Sequence, residues 1–90
     1  MKYVLLYRTA GDGLAKAPAL FPEHAAHYQE FHRDGHLLMV GAFGDPQTEG
    51  SMAIFKSQEA AQAFVDGDPF VAHGVVDGWE IRAWNEVLAP

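Results

Sequence analysis

The sequence predicts an α+β fold with the element order β-α-β-β-α-β. Three observations carry that prediction. Four short apolar runs have the length and the β-branched or aromatic content of strands. Two longer stretches between them open and close on residues typical of helix ends. Glycine and proline clusters separate the pieces and leave little room for anything else.

Tyr3 to Arg8 is β-rich and apolar on both faces, which predicts a central strand. Thr9 to Ala19 holds Gly11-Asp12-Gly13 and Pro18, and is expected to be a loop. Pro22 suits the first turn of a helix. That helix is expected to run to about Asp34, with Gly35 as its C-terminal cap. His36 to Phe43 predicts the second strand. Gly44 to Gly50 reads as a hairpin connection, with Asp45-Pro46 as a turn, and Ser51 to Lys56 returns as the third strand. Ser57 is a good N-cap for a second helix, Glu59 sits in its first turn, and Gly67 ends it. Trp79 to Val87 begins as an alternating strand, with Trp79, Ile81 and Ala83 on one face and Glu80 and Arg82 on the other.

Two helices and four strands in this order make the ferredoxin-like arrangement, a four-stranded antiparallel sheet with both helices on one face. The other face of such a sheet is ordinarily polar. Here Tyr3, Leu5 and Tyr7 alternate with Val4 and Leu6, and Leu37 to Val40 is apolar throughout. A second subunit is therefore expected on the bare face. Two sheets packed face to face give a homodimer of the dimeric α+β barrel type. The plain alternative is that the apolar runs overshoot what the fold needs.

Ninety residues are expected to form a single domain, residues 1–90. A domain of that size is marginal alone. With no cysteine, neither a disulfide nor a thiolate metal site can staple it. Yet 49% of the residues are hydrophobic, a surplus that a partner subunit would take up. The net charge of −6, with six scattered basic residues, argues against nucleic acid. The apolar run at the N-terminus is too short for a membrane span or a signal peptide. With no export signal and no cysteine, a cytoplasmic protein is the expectation.

The residues that carry chemistry are His24 and Asp68. Phe21, His24, Tyr28 and Phe31 share one face of the first helix, and this stripe is apolar apart from His24. On this reading His24 lies in the first helical turn, at the rim of a buried surface. The helix N-terminus and burial disfavour the imidazolium there, while a nearby carboxylate favours it. Such a balance suits a general acid or base. The bland alternative is a half-buried histidine bonded to the backbone. Asp68 likewise reads as the N-cap of a short turn, with Pro69 at its first position and Gly74 at its end. It follows a helix expected on the same face of the sheet as the first. Phe70 would anchor the loop, so the carboxylate is placed to approach His24 and orient its ring.

In order and at matching spacing, Pro22-Glu23-His24, Gly35, Leu37-Leu38-Met39-Val40-Gly41, Ser57-Gln58-Glu59-Ala60-Ala61 and Asp68-Pro69-Phe70-Val71 resemble the YciI-like family. The resemblance covers nearly the whole chain. It implies a ferredoxin-like fold, a dimer of the α+β barrel type, and a proposed catalytic histidine and aspartate at His24 and Asp68. One member of the family acts as a dehydrochlorinase in chloroaromatic breakdown, and most have no assigned reaction. Many members carry Arg-Pro-x-His where this chain has Phe21-Pro22-Glu23-His24. Many also carry proline where Ala42 follows Gly41. The missing arginine removes a contact for an anion.

Other candidates are weaker. His24 and His27 stand three apart beside Glu23, with His32 further on, but no third and fourth ligand follow, so no metal is expected. His27 and His32 read as solvated or interface residues. Gly11-x-Gly13 lacks the third glycine and the following helix of a dinucleotide site, so no cofactor is expected. Phe70, His73 and Ser51 are candidate pocket residues, Ser51 as a hydrogen-bond donor. Trp79 and Trp84 read as core or dimer contacts. The expected function is that of a cofactor-independent enzyme that moves a proton on a small organic compound, in an elimination, dehydrochlorination or isomerisation. The alternative is a non-catalytic ligand-binding or accessory module in which the same pair fixes a ligand.

Overall fold

The computed structural model describes residues 1–90. Four strands, β1 (Lys2–Thr9), β2 (Leu37–Ala42), β3 (Ser51–Phe55) and β4 (Val76–Trp84), form one sheet in the order β2-β3-β1-β4. Every pairing is antiparallel. The helices are α1 (Gly13–Arg33) and α3 (Gln58–Gly67), with single turns α2 (Pro46–Glu49) and α4 (Pro69–Ala72). This is the ferredoxin-like arrangement that the element order predicts.

The register sorts the strand residues by face. Leu5 lies opposite Ala53, and Tyr3 opposite Phe55, so these four share a side. Leu5, Ala53 and Phe55 are buried with Leu37, Ala61, Phe64 and Val65 in a single core between sheet and helices. Phe55 and Phe64 meet there with ring centroids 5.3 Å apart. Burying each such side chain contributes about 1.5–3 kcal/mol. The opposite face carries Val4 beside Ile54 and Met39 in one row, and Leu6 beside Met52 in the next. No helix covers it, and Met39 is 67% exposed. The two-sided apolar strands thus leave one face of this sheet bare.

Several boundaries differ from those the sequence predicts. The largest difference is at α1, which begins at Gly13 and takes in most of the expected loop. Pro18 and Pro22 lie inside it, and each removes a backbone bond. Leu14, Pro18 and Pro22 are exposed, so water can reach the freed carbonyls of Leu14 and Pro18. The N-terminus is held from outside: the Gln47 side chain accepts from the Leu14 N–H (3.2 Å) and donates to the Ala10 carbonyl (2.7 Å). The Gly44–Gly50 connection accordingly contains a helical turn with Pro46 in its first position. Gly50 then turns into β3 at φ 79°, against the Tyr7 carbonyl. At the other end of α1, Gly35 takes φ 83°, and Gly35 and His36 return N–H bonds to the carbonyls of His32 and Phe31. Strand β4 starts at Val76, three residues early, and stops at Trp84. Val76 is buried opposite Thr9, with a register shift at Arg8/Thr9.

Candidate active site

The site is built where α1 and α4 meet over β1. His24 lies about three turns past Gly13 rather than in a first turn, so the helix N-terminus does not act on it. It is 9% exposed, and Asp68 only 1%. The imidazole Nδ1 is 2.8 Å from Asp68 Oδ1. Asp68 caps α4 at the same time, because Oδ1 also accepts from the Phe70 backbone N–H at 3.0 Å. The cap fixes the carboxylate, and the carboxylate fixes the histidine.

A third residue completes the group. The Tyr7 hydroxyl, on β1, donates to Asp68 Oδ2 at 2.7 Å. Burial alone would raise the Asp68 pKa, but hydrogen bonds from His24, Tyr7 and the Phe70 amide outweigh it and hold the carboxyl below its ordinary value. Tyr7 is pushed well above the usual tyrosine range by burial first and by the Asp68 charge second. Asp68 is therefore ionised and Tyr7 neutral at ordinary pH. An ionised Asp68 can only accept, so Nδ1 carries the proton. Nε2 is then the ring nitrogen turned away from the carboxylate.

Nε2 makes no hydrogen bond to the protein, and no fully buried side-chain nitrogen or oxygen lacks a partner. Nε2 is thus open to the space beside it. That space is a cleft of about 470 Å³ between α1 and the sheet. Phe70 stacks flat on the imidazole, with centroids 3.7 Å apart and 4° between planes, and Tyr28 meets it edge-on at 5.3 Å. These contacts and the Asp68 bond leave the ring little freedom to turn.

Of the residues singled out from sequence, His24, Phe70 and Ser51 line this cleft, and Asp68 lies directly behind His24. His73 does not line it; it is exposed at the C-terminal cap of α4. His27 and His32 are not simply solvated, since each bonds a backbone carbonyl at 2.8 Å, Phe64 and Leu37 respectively. No group of three or more His, Asp or Glu side chains converges as a metal site would require. No helix is long and apolar enough to cross a membrane. Tyr7 is the member that sequence reading leaves among the apolar strand residues. Its available signal is period: it shares the buried face with Leu5, and a buried phenol needs a partner for its hydroxyl.

Residues 1–85 match the YCII-related domain. The chain belongs to the YCII-related family. A relative, Protein YciI of Escherichia coli, is 35% identical over 98 residues, an overlap covering 98% of this chain and 100% of the relative. Among solved structures, the 5-chloro-2-hydroxyhydroquinone dehydrochlorinase of Burkholderia phenoliruptrix, in complex with 2,5-dihydroxybenzoquinone, superposes with a TM-score of 0.74 at 18% identity, covering 94% of each chain. A MhuD variant with two manganese protoporphyrin IX groups per active site superposes with a TM-score of 0.52 at 18% identity, covering 99% of this chain and 96% of that one. These two likenesses support the ferredoxin-like α+β fold.

Proposed function

We propose that this chain is a small cofactor-independent enzyme that transfers a proton on a small cyclic or aromatic organic compound, driving an elimination, a dehydrochlorination or an isomerisation. One observation carries the reading: a buried imidazole whose Nδ1 is held by a carboxylate and whose Nε2 opens, without a partner, on an apolar cleft. In this reading His24 Nε2 takes a proton from the substrate. Asp68 keeps the ring in the right tautomer and offsets the charge that develops on it. The apolar walls keep water from competing for the proton. Phe70 serves as a wall and Ser51 as a hydrogen-bonding group.

The reading includes a homodimer. The bare face presents Val4, Leu6, Met52, Ile54 and Met39, a patch suited to a second copy of the same sheet. Sedimentation is expected to give a species of twice the 9.9 kDa chain mass, and a clean monomer at micromolar concentration tells against the pairing.

Turnover is tested by screening halogenated hydroquinones, lactones and related ring compounds with the purified protein. His24→Ala and Asp68→Asn are expected to abolish or sharply reduce any activity found. Activity that survives both substitutions refutes the dyad. Ligands that bind without turning over favour a non-catalytic binding module instead.

A further inference from the structure

The wall of the cleft holds no Lys, Arg, Asp or Glu side chain. Its polar side chains are tyrosine, threonine, serine and histidine, and two are already committed. The Tyr7 hydroxyl donates to Asp68, and the Thr9 hydroxyl donates to the Pro46 carbonyl at 2.7 Å. Three polar groups of the lining residues have no protein partner: His24 Nε2 and the hydroxyls of Tyr28 and Ser51. Tyr28 stands edge-on beside the imidazole, while Ser51 lies across the cleft on β3, opposite Tyr7 in register.

An anion entering this cleft would leave water and find no Lys or Arg to replace it. It would also approach the ionised Asp68 carboxylate, which sits behind His24 in a region of low dielectric. A neutral ring meets neither cost, because Phe21, Phe70 and Leu5 supply apolar contact. Hydroxyl, carbonyl or amide groups on such a ring can engage the three free groups. Hydroxyls of Ser and Tyr both donate and accept, so they tolerate either kind.

We infer that the cleft selects uncharged, hydroxyl- or carbonyl-bearing ring compounds and discriminates against carboxylates and phosphates, with Tyr28 and Ser51 reading the polar substituents. The inference deepens the proposed reading by naming the ligand class of the same site, and it is tested by binding rather than turnover. The probes are 4-hydroxybenzamide and 4-hydroxybenzoate, which share ring, hydroxyl and near-identical size but differ in charge at pH 7.5. Titration calorimetry or ligand-observed NMR is expected to show the amide bound at least about tenfold more tightly. Tyr28→Phe and Ser51→Ala are each expected to weaken the amide by about two- to tenfold with unchanged circular dichroism. The inference is overturned if the benzoate binds as well as the amide. It is also overturned if the amide does not bind at millimolar concentration, or if neither substitution alters its affinity. Charge discrimination without any His24-dependent turnover would count against the catalytic reading alone. His24-dependent turnover without discrimination would count against the ligand class alone.

Discussion

Tyr7→Phe isolates one hydrogen bond at the centre of the site. The phenyl ring keeps its place in the core, so no cavity opens and the change is confined to one oxygen. Tyr7 is 8% exposed, and water cannot readily replace the lost donor. Asp68 Oδ2 loses its 2.7 Å partner, whereas Oδ1 keeps His24 and the Phe70 amide. A hydrogen bond to a charged group contributes about 1.5–3 kcal/mol, and the two partners that Oδ1 keeps hold this loss near the middle of that range. A loss of about 2 kcal/mol is a large share of the 5–15 kcal/mol typical of a domain. With a urea slope of about 1 kcal/mol/M, the unfolding midpoint falls by about 2 M. The pH dependence gives a second readout. The folded-state Asp68 pKa lies below its reference value of 3.8, so the carboxylate adds stability above that pH and loses it as pH falls through the folded value. Removing Tyr7's donor raises the folded value, so the variant gains less stability than the parent between pH 3 and pH 7. Urea unfolding followed by circular dichroism at both pH values measures this. A variant within about 0.5 kcal/mol of the parent at pH 7 refutes the claim that Tyr7 holds the carboxylate.

Asp68→Asn keeps the shape but puts an amide NH₂ where three donors converge, so it is expected to cost about 2–4 kcal/mol and to show in the same unfolding assay. Gly50→Ala sets a Cβ against the Tyr7 carbonyl at a positive φ and is expected to cost at least about 2 kcal/mol, seen as a lowered thermal midpoint. Ile54→Glu places a charge between Val4 and Met39 on the bare face; its sedimentation is expected to drop to that of a single 9.9 kDa chain while its circular dichroism spectrum stays unchanged. Dissociation of the parent protein is not expected under the same conditions.

Much of the framework can be read from local chemistry. The Ser57 hydroxyl accepts from the Ala60 N–H at 3.1 Å, as an N-cap does, and Gly35 and Gly74 close α1 and α4 at positive φ. Asp68 shows its capping role in sequence because Pro69 follows it at once. What escapes sequence reading depends on partners distant along the chain. The early start of α1 relies on Gln47, 33 residues beyond Leu14, and local propensity counts Pro18 as a breaker. The early start of β4 relies on pairing with β1, which Asp77 and Gly78 do not advertise. Tyr7 is 61 residues from Asp68, and a tyrosine in an apolar strand looks like core until its hydroxyl is followed.

The clamp at Gln47 also bears on how the cleft opens. The stretch of α1 before Pro22 supplies Leu14, Ala17 and Phe21 to the cleft wall. Two prolines thin its hydrogen-bond ladder, and its first turn is tied down by one amide side chain on the β2–β3 connection. The later stretch is anchored by His24, Tyr28 and Phe31 against the core. Local opening therefore costs less at the front of this helix than at its back. Amide exchange is expected to run faster across residues 15–21 than across 25–33. The helix would then behave as two cooperative units, with the weaker one acting as a hinged flap over the cleft while the imidazole stays in register behind it.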